Sequence, residues 1–290
     1  MHTLVYWLIF PFLWLVSILP WKLFYLLSDI ICFIVYRIFQ YRKKVVTTNL
    51  RNAFPEKSKE EIKKIRGKFY KHMCDMFLEM VKSISISDKT TKKHFKFINT
   101  ESLRKLEASG KSYVLLAGHY ASYEWGNCID LSTSFKSVGV YKPIRNLSFD
   151  KLAKKIRGRF GADIVPNNKI VRYAISKERK NAGGSIYGLV ADQSPKAWGN
   201  TYWSHFMNQE VPVFVGGEVL AKKLDLNIAY LKVDKVKRGY YEAEVVIISD
   251  NIKSVPDYEA TEKYISLLEA QIKKRPELYL WTHKRWKHAR

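Results

Sequence analysis

His119 and Glu124 are residues whose types and spacing could do chemistry together. A histidine titrates near neutral pH and can take a proton from a hydroxyl. A carboxylate beside it can fix the imidazole tautomer and stabilise the charged ring. The run around them reads Gly118-His119-Tyr120-Ala121-Ser122-Tyr123-Glu124-Trp125-Gly126. Five positions along a regular helix turn two side chains about 140° apart, too far to meet. They can meet if His119 lies in a loop and Glu124 in the first turns of a helix. Taken alone the spacing is common, and a surface histidine with an unrelated glutamate is the bland alternative.

The elements around the pair give it a place. Residues 112–117 (Ser-Tyr-Val-Leu-Leu-Ala) read as a buried strand that runs into Gly118 and His119. In open α/β sheets ligands gather at the carboxyl ends of strands, which is where His119 falls. Further strands are expected at 137–141, 163–166, 185–191 and 227–233, with a short one near Phe95 and Phe97. Residues 240–248 alternate in the manner of an edge strand. Helices are expected at 58–82, 102–109, 149–160, 170–180, 216–224 and 257–274, with Ser58 capping the first and Asp257 starting the last. Residues 83–100 are mostly polar and read as a connection. This alternation predicts an α/β fold with a mixed central sheet flanked by helices. No linker divides residues 41–290, so we take them as one domain.

Composition narrows the partners. Lys and Arg number 50 against 27 Asp and Glu, a net charge of +23, which calls for a polyanion or an anionic surface. Residues 3–36 carry only Lys22 and Asp29 as formal charges, and Pro11 and Pro20 break the apolar run. We read residues 1–40 as a membrane anchor, with Trp7, Trp14 and Trp21 at seven-residue spacing near one face. A single tilted span, a span with an interfacial helix, and a re-entrant hairpin all fit. A cleaved signal peptide fits poorly, because Met1-His2-Thr3 carries no Lys or Arg and no small-residue cleavage site follows. Arg37, Arg42, Lys43, Lys44 and Arg51 follow the anchor and put this side in the cytoplasm. The charge then has a membrane explanation, and nucleic acid is not expected as a partner. Cys32, Cys74 and Cys128 are widely spaced and suggest neither a disulfide framework nor a zinc site. No metal set is expected.

Several segments, taken in order, resemble one family. The stretch from Gly118 to Gly126 is similar to the His-x4-acid box of glycerolipid acyltransferases, and in detail to that of the late acyltransferases of lipid A biosynthesis. Residues 48–56 (Thr-Asn-Leu-Arg-Asn-Ala-Phe-Pro-Glu), 141–146 (Tyr-Lys-Pro-Ile-Arg-Asn), 157–161 (Arg-Gly-Arg-Phe-Gly), Ala191-Asp192-Gln193 and 281–287 (Trp-Thr-His-Lys-Arg-Trp-Lys) look like further boxes of that family. The chain departs from it at Tyr120-Ala121-Ser122-Tyr123, where Phe-Gly-Asn-Trp is usual, and at His205-Phe206-Met207, where Phe-Phe-Gly is usual.

The resemblance implies transfer of an acyl chain from an acyl carrier protein thioester, or a coenzyme A thioester, to a hydroxyl of a lipid A precursor. No cofactor is implied, and the place is the cytoplasmic side of the inner membrane. An acceptor such as a lysophospholipid, an aminoacyl lipid or a pigment is the alternative. His119 would be the general base and Glu124 its orienting group. Arg159 would face the oxyanion or a substrate phosphate, with Arg157 second; a solvated basic helix face is the competing reading for both. Asp192 would hold an arginine or the headgroup, or simply form a turn. Lys142, Arg145 and Asn146 would bind substrate phosphate. His283, among Trp281, Lys284, Arg285, Trp286 and Lys287, would belong to an interface with anionic lipid or carrier protein. Glu210 and Glu218 receive no role.

Overall fold

The computed structural model describes residues 2–180, 183–196 and 201–290. It opens with helices α1 (His2–Ile18), α2 (Trp21–Phe33, continued by a π-helical turn over Ile34–Ile38), α3 (Lys43–Ala53), α4 (Lys59–Lys82) and α5 (Asp88–His94). Then follow β1 (Phe95–Phe97), α6 (Glu101–Ala108), β2 (Tyr113–Ala117), a 3-10 helix over Tyr123–Leu131, β3 (Lys136–Tyr141), α7 (Leu147–Arg157), β4 (Asp163–Pro166), α8 (Ile170–Arg179) and β5 (Ser185–Val190). The last part holds β6 (Trp203–Phe206), β7 (Gln209–Pro212), α9 (Gly216–Leu224), β8 (Asn227–Lys237), β9 (Tyr240–Ser249) and α10 (Glu259–Lys274).

The expected α/β fold is present. A seven-stranded sheet has the order β1-β9-β8-β2-β5-β3-β4. Five strands, from β8 to β4, run parallel; β9 is antiparallel to β8, and β1 parallel to β9. β6 and β7 form a separate hairpin that the sequence reading did not anticipate. Every residue of β2 is buried, as a central strand covered on both faces requires. β9 is not the edge strand expected, because β1 covers it. Its alternation reports one buried face, and that pattern says nothing about lateral neighbours.

Local signals set several boundaries. Ser58 and Glu61 form a reciprocal capping box at the start of α4. Ser87 caps α5, an element hidden inside the polar stretch after α4. Asp257 does not start α10. The buried Glu218 of α9 does, accepting from the Tyr258 and Thr261 amides and from the Thr261 hydroxyl. A carboxylate there meets the positive end of the helix dipole.

The N-terminal apolar segment is broken at Leu19 and Pro20 into α1 and α2. No single helix among the described residues is long and apolar enough to cross a membrane; the pair Trp21–Ile38 and Lys43–Ala53 passes such a test together but bends by 89°. α2 packs on α4 and buries Phe24 and Ser28. Trp7 and Trp14 are exposed, but Trp21 falls in the next helix and stacks on His94 at 4.1 Å between ring centroids. The seven-residue tryptophan spacing therefore does not make one lipid-facing stripe.

Candidate active site

Strand register builds the site. β2 and β5 are parallel neighbours, with Ala117 opposite Val190. Two residues beyond each partner stand His119 and Asp192, so the two side chains leave the sheet at the same level. His119 Nδ1 and Asp192 Oδ1 are 2.6 Å apart, with side-chain exposures of 17% and 2%. On the other side of the ring, Gln193 Nε2 lies 3.2 Å from His119 Nε2. With Nδ1–H donating to the carboxylate and the Gln193 amide donating to Nε2, the ring is in the tautomer that keeps its Nε2 lone pair.

The turn carrying His119 is held by the far end of the chain. The His119 carbonyl accepts from the Leu280 amide at 3.0 Å, and the Ala121 amide donates to the Leu278 carbonyl at 2.9 Å. Gly118 is needed for packing: a Cβ there would come within 2.6 Å of Leu268 on α10. Ala121 adopts φ 50°, a left-handed conformation, at the position where the similar box has glycine.

Glu124 does begin a helical segment, as expected, but its carboxylate faces Arg157. The guanidinium donates twice, Nε at 2.9 Å and Nη2 at 2.5 Å, a bidentate pair from the end of α7. The expectation that Glu124 is the hydrogen-bonding partner that orients His119 gives way to Asp192. Tyr123 fills the space between, its ring edge-on to the imidazole at 4.8 Å. Burial pulls the His119 pKa down, but the charge and hydrogen bond of Asp192, with help from the Glu124 charge, outweigh it and raise the net value. Asp192 moves the opposite way. Burial raises it, and the His119 charge and hydrogen bond bring it below the usual carboxylate range. The two directions describe one pair stabilised in its charged form.

His119, Glu124 and Arg157 line a cavity of about 510 Å³. His119, Glu124, Arg157, Lys142 and Gln193 are among its polar groups, and Leu115, Ile129, Val138, Ile186 and Leu189 among its apolar walls. A large apolar pocket with few convergent polar groups is the usual form of a small-ligand site.

The other expected site residues divide. Arg159 points away, donating to the Ile86 carbonyl at 3.0 Å and pairing with Asp88 at 3.1 Å. It ties the segment before α5 to the end of α7, so the arginine of this box that lines the cavity is Arg157. Lys142 lines the cavity as well, whereas Arg145 is exposed on the loop before α7, outside the lining. Asn146 caps α7, its side-chain oxygen accepting from the Ser148 and Phe149 amides. Part of the C-terminal box is interior, with Trp281 0% exposed, Arg285 3% and Trp286 8%, while Lys284 and Lys287 stay exposed. His283 accepts at Nε2 from the Ser194 amide at 3.4 Å, and burial lowers its pKa. Asn49 donates to the Trp281 and His283 carbonyls at 2.8 and 2.7 Å, so the box at 48–56 braces the box at 281–287.

The whole chain matches one family. The model of the bacterial lipid A biosynthesis acyltransferases covers residues 1–288. The chain belongs to that family. It is 22% identical over 277 residues to the lipid A biosynthesis palmitoleoyltransferase of Escherichia coli (strain K12), covering 95% of this chain and 88% of that one. It is 23% identical over 282 residues to the lipid A biosynthesis lauroyltransferase of the same organism, covering 97% and 90%. A Shigella flexneri lipid A biosynthesis acyltransferase is 22% identical over 277 residues. The chain is thus an acyltransferase, and the geometry above belongs to a lipid A acyltransferase family member.

Proposed function

We propose that this acyltransferase moves a fatty acyl chain from an acyl carrier protein thioester to a hydroxyl of a lipid A precursor. His119 Nε2 takes the hydroxyl proton, and the oxygen attacks the thioester carbonyl. The carbon–sulfur bond then breaks, and the imidazolium returns the proton to the leaving sulfur. Asp192 holds Nδ1–H and stabilises the charged ring through both steps. Glu124 and Arg157 line the cavity as a charged pair, with Arg157 and Lys142 supplying positive charge for the oxyanion or a substrate phosphate. The apolar walls receive the acyl chain.

We further assign residues 1–40 as a membrane attachment and residues 41–290 as the catalytic domain, working at the cytoplasmic face of the inner membrane. The exposed apolar residues of α1 and α2, among them Trp7, Leu8, Phe12, Leu15, Leu23 and Leu26, support attachment, and so does the net charge of +23.

The observation that carries the catalytic reading is the His119–Asp192 pair opening onto an apolar cavity in a chain of this family. Purified His119→Ala should lose transfer by roughly 10³-fold or more while staying folded. Normal turnover by that variant would sink the proposal. Mass spectrometry of lipids from a deletion strain tests the acceptor: loss of one acyl chain from lipid A is expected, and a change confined to phospholipids would assign another acceptor.

A further inference from the structure

Glu79 of α4 is fully buried at 0% exposure, lies outside the cavity lining, and gathers hydroxyls from three separate parts of the fold. Its carboxylate accepts from Tyr25 of α2 at 2.9 Å, from Tyr241 of β9 at 2.9 Å and, at a longer 3.4 Å, from Ser122. Its main-chain carbonyl accepts from the Trp125 indole at 3.0 Å. Ser122 lies within the stretch from His119 to Glu124, and Trp125 directly follows it. A single residue therefore grips the catalytic turn at two points while its acid group also holds the apolar N-terminal helix. Nearby, Asp75 of α4 accepts from Ser28 of α2 at 2.7 Å, and Arg238 joins Asp75 to Asp29. The seat of α2 is built from polar contacts that α4 must supply.

A buried carboxylate costs more to keep than an apolar residue of its size unless its acceptors are used. Here Tyr25 and Tyr241 use them at 2.9 Å, and the longer contact to Ser122 reaches the turn. Ala121 holds a left-handed conformation one residue before Ser122, a backbone state that needs outside restraint.

We propose that Glu79 is a positioning residue that couples the seating of helix α2 to the geometry of the catalytic turn between His119 and Glu124. This rests on the reading of His119 as the base. Tyr25 then affects turnover without touching substrate, because its hydroxyl helps fix the Glu79 carboxylate that Ser122 meets from the other side.

The test is a cycle on the full-length protein assayed in the same lipid or detergent as the wild type. Tyr25→Phe and Ser122→Ala should each lower kcat by about tenfold, the rate equivalent of one lost hydrogen bond. KM should stay within about twofold, and the double variant should be no worse than the poorer single one, since both act through one carboxylate. Ser122→Thr, which keeps the hydroxyl, should restore turnover, a rescue that a purely structural loss would not show in kcat alone. Wild-type kcat in both single variants, or losses that multiply in the double, would overturn the coupling. His119→Ala, run beside them, separates the two ideas. If it is inactive while the cycle fails, only the coupling falls; if it is active, the reading of the base falls and takes the coupling with it.

Discussion

His119 and Asp192 act as one unit, and their opposite pKa shifts have a consequence for pH. The imidazole must be neutral to accept a proton, and its pKa lies above the ordinary value of about 6.5. The acid limb of the kcat/KM profile should therefore lie above pH 6.5. Asp192→Asn removes the largest charge that raises the ring, so burial outweighs the smaller help from Glu124. The limb should move to lower pH while the plateau falls by roughly 10²-fold or more. A profile with an unmoved limb would show that Asp192 does not set the ring. The linkage to stability follows the same sign. The folded-state pKa is raised, so the contribution is fully present below about pH 6.5 and is lost as pH rises through the folded value. Asp192→Asn should flatten that part of the stability curve.

Helix ends and strand ends do much of the positioning. Ser58 at the start of α4 is a local signal, read from residue type and spacing, while Asn146, expected to bind phosphate, instead caps α7. Glu218 is different. It caps α10 across 40 residues of chain, from α9, and α10 carries Leu268, which packs against Gly118. Glu218→Ala would strip acceptors from the Tyr258 and Thr261 amides and the Thr261 hydroxyl and leave a buried cavity. A loss of about 2 kcal/mol or more is expected, seen as a lowered denaturation midpoint at unchanged slope. Gly118→Ala should cost about 1–3 kcal/mol through the close approach to Leu268. Its effect on turnover should be larger than that of Glu218→Ala, because the displaced backbone leads straight into His119. Thermal melts beside kcat measurements would check the ranking.

For the whole molecule, the apolar helices and the net charge of +23 combine into one expectation. α1 packs on α4 and α7 with Leu8 and Phe12 facing outward at 71% and 61% exposure. Leu8→Asp with Phe12→Asp should lower binding to anionic vesicles in a flotation assay by at least tenfold, since each buried side chain is worth about 1.5–3 kcal/mol. Added salt should weaken the binding further, and uncharged vesicles should bind less. Undiminished flotation of the double variant would remove α1 from the attachment.

By itself, the sequence determined the α/β class, most element boundaries after α4, and the position of His119 past a buried strand. Those depend on periodicity and on turn and cap residues that act within a few positions. The ordered boxes also marked the family, and nearly every box now has a place around the site. What only the tertiary structure decided is who meets whom. Asp192 became the partner of His119 because β2 and β5 are adjacent and in register. That strand order is a long-range choice, and no local pattern encodes it. The same holds for Glu124 with Arg157, for Arg159 with Asp88, and for the burial of Trp281. A charged side chain within a box looks the same in sequence whether it faces substrate or braces a neighbouring element. Packing settles which, because a buried charge is tolerated only where its partner also arrives.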